Sequence, residues 1–310
     1  MSETQQKESF KTKIGGQAVI EGIAMRGPQK TCLAVRQPDG TIKTEIYDTK
    51  PNPVAKIPLV RGAVAMIISL ACGYKYLMRA ADIAFPEEAE KAKEAKENGK
   101  KTLDDMLGPI AGVLGGMLAI ALFVLLPTLI TGLISKIVEL GSFKSTVEGL
   151  IKIIIFVGYL AAISLMPDIR RVFEYHGAEH KTIACYEHRG ELIPANVRNY
   201  SRFHPRCGTS FIFIVLIISI IVGSFIPWSS TLGRMGLKLL CLPIIMGISY
   251  EIIQYAGAHD NLLSRVLSAP GLWVQRLTVF DPSDDQIEVA IASLLAVIPQ
   301  NEAEAEWSAQ

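Results

Sequence analysis

The stretch GTSFIFIVLIISIIVGSFIPW, Gly208–Trp228, carries no charged side chain. An α-helix rises about 1.5 Å per residue, so a run of this length reaches across the ~30 Å hydrocarbon core of a bilayer. It closes on Pro227-Trp228, an indole suited to a membrane interface. Three further runs read the same way. Leu107–Ile134 is uncharged; its Pro127 predicts a kink, and Gly112, Gly115 and Gly116 favour close helix packing. Leu150–Met166 is apolar apart from Lys152, which can snorkel from near its end, and it needs flanking residues to cross. Leu239–Ala256 is apolar except for Glu251. The expected fold class is therefore a mainly α membrane protein with about four transmembrane helices, a small N-terminal β segment and cytosolic helices.

Lysines and arginines orient those spans. Lys91, Lys93, Lys96, Lys100 and Lys101 precede the first span, and Arg170, Arg171, Lys181, Arg189, Arg198, Arg202 and Arg206 fill the loop between the second and third. The other two connections hold little beyond Lys136, Lys144 and Arg234. The positive-inside rule then places both termini and the central loop in the cytoplasm of a multi-pass protein of the cytoplasmic (inner) membrane. The lipid bilayer is its first partner, beside an unknown substrate or protein. Net charge is +1, which gives no argument for nucleic acid. The five cysteines are odd in number and scattered without a C-x-x-C pair, so they do not read as a disulfide framework or a structural zinc module.

Outside the membrane domain (105–256, with its central loop 167–207) four segments are expected. Residues 1–13 are polar and read as a disordered tail without a cleaved signal. Residues 14–50 form a small β segment. Leu33, Val35 and Gln37, then Ile42, Thr44 and Ile46, alternate around Pro38-Asp39-Gly40, a hairpin signal, with Ile14–Gly22 as a third strand. Gly15-Gly16, Glu21-Gly22 and Arg26-Gly27-Pro28 read as tight turns. Residues 51–104 hold a proline-broken connector, an apolar helix over 59–84 and a charged solvated stretch. The uncharged part of that helix, Gly62–Tyr74, is too short to cross, so an interfacial or re-entrant helix is expected, with a buried soluble helix as the alternative. Residues 257–310 form a cytosolic C-terminal segment. Its Asp281-Pro-Ser-Asp-Asp turn starts an amphipathic helix carrying Ile287, Val289, Ala290, Ile291, Leu294, Leu295 and Ile298, which packs on the cytosolic domain.

The central loop carries His176-Gly-Ala-Glu179-His180. On a helix the two histidines stand one turn apart with Glu179 on the same face. Two imidazoles at that spacing chelate one divalent metal such as zinc, with the glutamate as base or orienting group, as in H-x-x-E-H peptidases. His204 and Cys207 lie just before the third span, and Glu251 sits one to two turns from the cytoplasmic end of the fourth. An ionisable group inside a span marks a functional site by default. The candidate ligands are thus His176, His180, His204, Cys207 and Glu251, with Glu179 as candidate catalytic base. Competing readings exist for most of them: His188 as a lipid or capping contact, His204 as a structural partner of Glu251, Cys207 and Cys185 as packing, and Glu174 and Glu187 as surface charge.

Several longer strings have a familiar look: Ile14-Gly-Gly-Gln-Ala-Val-Ile-Glu-Gly, Met25-Arg-Gly-Pro, Pro58-Leu-Val-Arg-Gly, His176-Gly-Ala-Glu-His-Lys, Tyr200-Ser-Arg-Phe-His-Pro-Arg-Cys-Gly-Thr-Ser, Gly247-Ile-Ser-Tyr-Glu and Ala269-Pro-Gly-Leu-Trp. In them the chain resembles the YqhQ family of bacterial membrane proteins, from about Lys13 to Pro299. That resemblance implies a domain of unknown function, sometimes labelled a predicted metal-dependent enzyme, and brings no substrate or catalytic residue. The leading expectation is a metal-dependent, hydrolase-like membrane enzyme. The rival is a non-enzymatic transporter, assembly factor or scaffold with a structural His/Glu polar network. A polar lane across the bilayer would favour the rival, and Glu251 as the only acidic residue within the spans weakens it.

Overall fold

The computed structural model describes residues 9–49, 54–97, 103–227, 230–259 and 261–306. Four strands come first, β1 (Gly15–Val19), β2 (Gly22–Arg26), β3 (Lys30–Arg36) and β4 (Ile42–Asp48), paired antiparallel in chain order. Then follow α1 (Val60–Ala84), α2 (Pro86–Glu97), α3 (Leu103–Ile120), α4 (Leu126–Ile137), α5 (Lys144–Ser164), α6 (Pro167–Glu187), α7 (Pro194–Val197), α8 (Gly208–Ser224), α9 (Thr231–Ala258), α10 (Leu262–Thr278), α11 (Asp284–Leu295) and α12 (Glu302–Ala305). The β3–β4 hairpin turns at Gly40, whose φ of 85° suits a residue without Cβ. The stretch Ile14–Gly22, expected as a third strand, supplies β1 and turns at Glu21, φ 50°, into an unforeseen strand, β2, which lies between β1 and β3.

Strand alternation lets the small sheet bury both faces. Ile23, Met25, Cys32 and Ala34 join α6 and α11 in one core, with Tyr175, Ala178, Ile287, Val289, Ala290 and Leu294. Val19, Ala24, Leu33 and Val35 meet Ala80, Ile83 and Ala84 at the end of α1. Helix α11 begins at a capping box formed by Ser283 and Gln286. It packs on this domain, as its apolar pattern predicts. The tail expectation fails for residues 9–13: Phe10 stacks edge-on against Tyr186, and the Thr12 amide donates to Glu187 Oε1 at 2.6 Å. Residues 1–8, much of the proline connector, Lys100, Lys101 and Trp228 lie outside the described residues.

Four helices are long and apolar enough to cross a membrane: Val60–Ala84, Gly112–Ile137, Gly141–Ser164 and Leu232–Ala258. Two expectations shift. The first of these passes the length and composition test that its uncharged part alone does not, and Gly208–Ser224 is shorter than the predicted third span. Pro127 cannot donate to the preceding turn, and a π-helical turn at Ala121–Leu125 absorbs the mismatch just before it. Gly112, Gly115 and Gly116 have nothing within 4 Å of a Cβ built on them, so they do not bring helices together here.

The bundle of α4, α5, α8 and α9 holds charges that the hydropathy reading left outside the spans. Glu148 of α5 is 3% exposed, so Glu251 is not the only acidic residue in an apolar helix. Arg234 Nη2 donates to Glu148 Oε2 at 2.9 Å, Lys238 pairs with Oε1, and the Thr128 hydroxyl donates to the same oxygen at 2.5 Å. Arg234 also donates to the carbonyls of Gly223, at 2.9 Å, and Ile226, where it covers the exposed C-terminus of α8. Lys152 does not snorkel: it is buried and donates to Ser219 Oγ at 3.1 Å.

Candidate metal centre

Helix α6 presents His176 and His180 on one face, as the spacing predicts, and their rings meet edge to face with centroids 4.4 Å apart. Cys207 faces them from the N-cap of α8, where its sulfur accepts from the Thr209 amide at 3.4 Å. His176 Nε2 lies 3.2 Å from Cys207 Sγ. Ligand atoms of His176, His180 and Cys207 all fall within 4.8 Å of one another.

Both imidazoles are held from behind. His176 Nδ1 is 3.1 Å from the Thr278 carbonyl oxygen, and His180 Nδ1 is 2.6 Å from that of Arg202. A carbonyl oxygen only accepts, so each Nδ1 carries a proton and each Nε2 is the ring atom aimed at the cluster, open to a metal once it gives up any proton of its own. Metal-binding histidines are oriented this way. Sequence reading could not find these two groups, because backbone carbonyls of distant segments carry no residue signature.

Glu179 is buried beside the histidines. Its Oε1 accepts from the Gly16 amide at 2.8 Å, and Oε2 is buried without a hydrogen-bond partner among the described residues. Gly16 makes room for it, since a Cβ there would stand 2.9 Å from Glu179 Cδ. The Gly15-Gly16 pair is therefore not a turn but part of β1, and its glycine admits a carboxylate.

Burial and charge work against each other here. Burial raises the Glu179 carboxyl above its usual range, against the pull of His176 and His180. Burial would also lower His176 and raise Cys207. The Cys207 sulfur and Glu179 outweigh it at His176, pushed up to about 9, and both histidines outweigh it at Cys207, held well below the ordinary thiol value. The two histidines thus favour the thiolate of Cys207, the form that ligates metal or attacks an electrophile.

Two of the predicted ligands are placed elsewhere. Glu251 is taken by Arg61, with bonds of 2.8 and 2.5 Å, and accepts from the Leu59 amide at 3.2 Å. It anchors the start of α1 to α9 and does not reach the histidines, because α1 supplies a guanidinium first. His204 is next to the cluster, its ring 5.6 Å from that of His180, but Nε2 turns to Glu187 Oε2 at 3.5 Å and Arg206 Nη2 at 3.3 Å. Burial holds His204 below its ordinary pKa. Glu187 is not a surface charge: it is buried, and His204 and Arg206 lower it against its own burial. His188 bonds the Ala184 carbonyl at 2.7 Å and faces the Tyr200 ring, a capping contact.

A model of a family described as a protein of unknown function, DUF1385, matches residues 57–300. The chain is also 36% identical over 294 residues to the uncharacterised protein YqhQ of Bacillus subtilis (strain 168), covering 93% of this chain and 92% of that one. The chain belongs to this family. No solved structure matches it. Family membership brings no assigned chemistry, so the argument for a site rests on the geometry above.

Gly177, between the two histidines, has a packing role that the motif does not reveal. A Cβ there would lie 1.9 Å from the Phe280 carbonyl oxygen. This contact lets the chain after α10 abut α6 and deliver the Thr278 carbonyl to His176. Gly177→Ala is expected to cost about 3 kcal/mol by overpacking and to disorder His176. Gly208→Ala, with nothing within 4 Å, is expected to be near neutral. Thermal unfolding midpoints of the two variants check this, and equal midpoints would refute it.

Proposed function

We propose that the protein is a metal-dependent, hydrolase-like enzyme of the membrane, with a divalent-cation site at the cytoplasmic face. One observation carries this reading: two imidazoles held by carbonyls at Nδ1 converge with the sulfur of Cys207. Two nitrogens and one sulfur suit zinc, and three protein ligands leave a fourth position open, the arrangement of catalytic rather than structural zinc sites. A metal there supplies a Lewis acid that brings the pKa of water to about 7. Glu179, held at Oε1 by Gly16, keeps Oε2 free to take a proton, and the burial of the cluster excludes bulk water. Glu179→Gln is expected to retain metal and lose hydrolytic activity. Elemental analysis beside a panel of esterase and peptidase substrates checks it; loss of metal in Glu179→Gln would make Glu179 a ligand instead of a base.

The rival transporter reading gains Glu148 and its cations. What weakens it is the apolar cluster of Phe156, Leu160, Leu216 and Val274, with Phe123 and Phe213, which continues from Lys152 in place of polar groups among the described residues. A second reading of the same residues is favoured by the 3.2 Å Nε2–Sγ contact at a helix N-terminus: Cys207 as nucleophile with His176 as its base. Alkylation of Cys207 that is indifferent to chelator and zinc supports that reading. Protection by zinc supports the metal site.

Four crossings, by α3–α4, α5, α8 and α9, put the sheet, α6 and α11 together on one side. Helix α1 is the exception among the long apolar helices. Its first turn packs on α9, with Gly62 against Tyr250, and its last turns cover the sheet. A crossing by α1 would require the connector after β4 to cross the bilayer as well, without helical hydrogen bonds. Helix α1 is thus assigned to the interface, its exposed Ile67, Leu70 and Tyr74 toward lipid. Reporter fusions at residues 143 and 231 are expected outside, and those at residue 190 and the C-terminus inside. An outside signal at residue 190 would overturn the arrangement.

A further inference from the structure

A cavity of about 220 Å³ lies between α5, α8 and α9, and none of the candidate metal ligands lines it. Its walls are Phe123, Phe156, Ile212, Leu216, Leu242 and Ile245 among other apolar groups, and Lys152, Ser219 and Lys238 are its polar lining. It is larger than the ~150 Å³ apolar cavities that stay dry and take up apolar ligands. Phe123 comes from the π-helical turn Ala121–Leu125, a distortion often found where helices serve a site. Ile212 at the rim is 45% exposed, so the cavity opens sideways between helices, toward lipid in the proposed arrangement.

Charge decides what belongs in it. Glu148 is shared by Arg234 and Lys238. Lys152 is 7% exposed and has only the Ser219 hydroxyl as hydrogen-bond partner among the described residues. Glu148, one turn away, lines a small adjoining cavity with it, but the Glu148 oxygens are held by Arg234, Lys238 and Thr128, so the ammonium faces the apolar chamber without a carboxylate bonded to it among the described residues. A buried cation is costly unless an anion accompanies it. Water alone answers the charge poorly, and the apolar walls do not answer it at all. An acyl chain fits the walls, and an anionic head group fits the lysine.

We propose that this cavity binds a single-chain anionic amphiphile, with its head group on Lys152 and Ser219, flanked by Lys238, and its chain along Phe156, Leu216 and Ile212. The carboxylate of a fatty acid and the phosphate of a single-chain lipid offer the same chemistry. The site is separate from the metal centre and rests on the membrane-embedded reading only for its route of access.

The test uses the full-length protein in digitonin micelles, so that it does not depend on sidedness. A photoreactive diazirine dodecanoic acid and the matching dodecanol are crosslinked, and the labelled residues are mapped by mass spectrometry. The acid is expected to label the walls of the cavity, and dodecanoate or dodecyl phosphate to compete with it, whichever displaces more label naming the head group. Lys152→Met is expected to lower labelling about tenfold, the effect of one lost charge-assisted contact, and Lys152→Arg to restore most of it. Lys152→Met also removes a buried charge, and an unchanged unfolding midpoint or a raised one excludes misfolding as the cause. Equal labelling of wild type and Lys152→Met, or equal competition by dodecanol, would overturn the proposal. Reporter fusions on the wrong side would overturn the membrane arrangement and leave this result standing.

Discussion

His180→Ala is expected to purify without metal, where the wild-type protein is expected to carry it. His180 is one of three converging candidate ligands, and its Nδ1 is already committed to the Arg202 carbonyl, which leaves Nε2 as its ligand atom. Loss of a group that merely orients a ligand costs about 10–100-fold in metal affinity, and loss of a ligand itself should exceed that. Elemental analysis should give about one metal per wild-type chain and a trace in the variant. A second readout separates loss of metal from loss of fold. Ligands that bind only the native state stabilise it by mass action, so a chelator should lower the wild-type unfolding midpoint and leave that of His180→Ala unchanged. Equal metal content in the two proteins would remove the main support for the enzyme and favour a structural polar network. Glu251→Ala serves as the control. Its carboxylate belongs to Arg61, so metal content should be unaffected.

Glu148→Ala should be the most destabilising single substitution in the bundle. The carboxylate is 3% exposed and receives Arg234, Lys238 and Thr128. Removing one partner of a buried ion pair leaves the other charge without compensation, at a cost of about 3–5 kcal/mol. Here two cations are stranded, one of which also covers the end of α8. Breaking the half-buried Arg61–Glu251 pair should cost only about 1 kcal/mol. The double variant Glu148→Ala/Lys238→Ala should be less destabilised than the sum of its single changes, since each removes the penalty the other creates. Additive losses in thermal unfolding would show that the cluster is not coupled.

Periodicity and local chemistry made much of this protein legible in its sequence. The alternation of Leu33, Val35, Ile42 and Ile46 around Gly40 specified a hairpin, since strand side chains point to alternate faces whatever surrounds them. Asp281-Pro-Ser-Asp-Asp announced the start of α11, because capping is settled within one turn. The spacing of His176, Glu179 and His180 placed them on one helical face for the same local reason. Apolar run lengths located α3–α4, α5 and α9, although not their ends.

Tertiary structure decided what depends on which distant segment arrives first. Hydropathy stops at a charge, but Glu148, Lys152, Arg234 and Lys238 extend or interrupt apolar helices. Three of them answer one another across the bundle, and their mutual neutralisation cannot be seen from any one helix. Glu251 and His204 look like ligands by type and position. Arg61, from α1, and Glu187, at the end of α6, claim them instead, and a side chain satisfied by one partner is not available to another. Conversely, Cys207 meets His176 from the N-cap of α8, Gly177 lets Phe280 press against α6 beside the Thr278 carbonyl that holds His176, and Gly16 admits Glu179. The residue types needed for a metal centre are a property of this chain. Their convergence is a property of how α6, α8 and the end of α10 meet, helped by two glycines, Gly16 and Gly177, that leave room for a hydrogen and not for a methyl group.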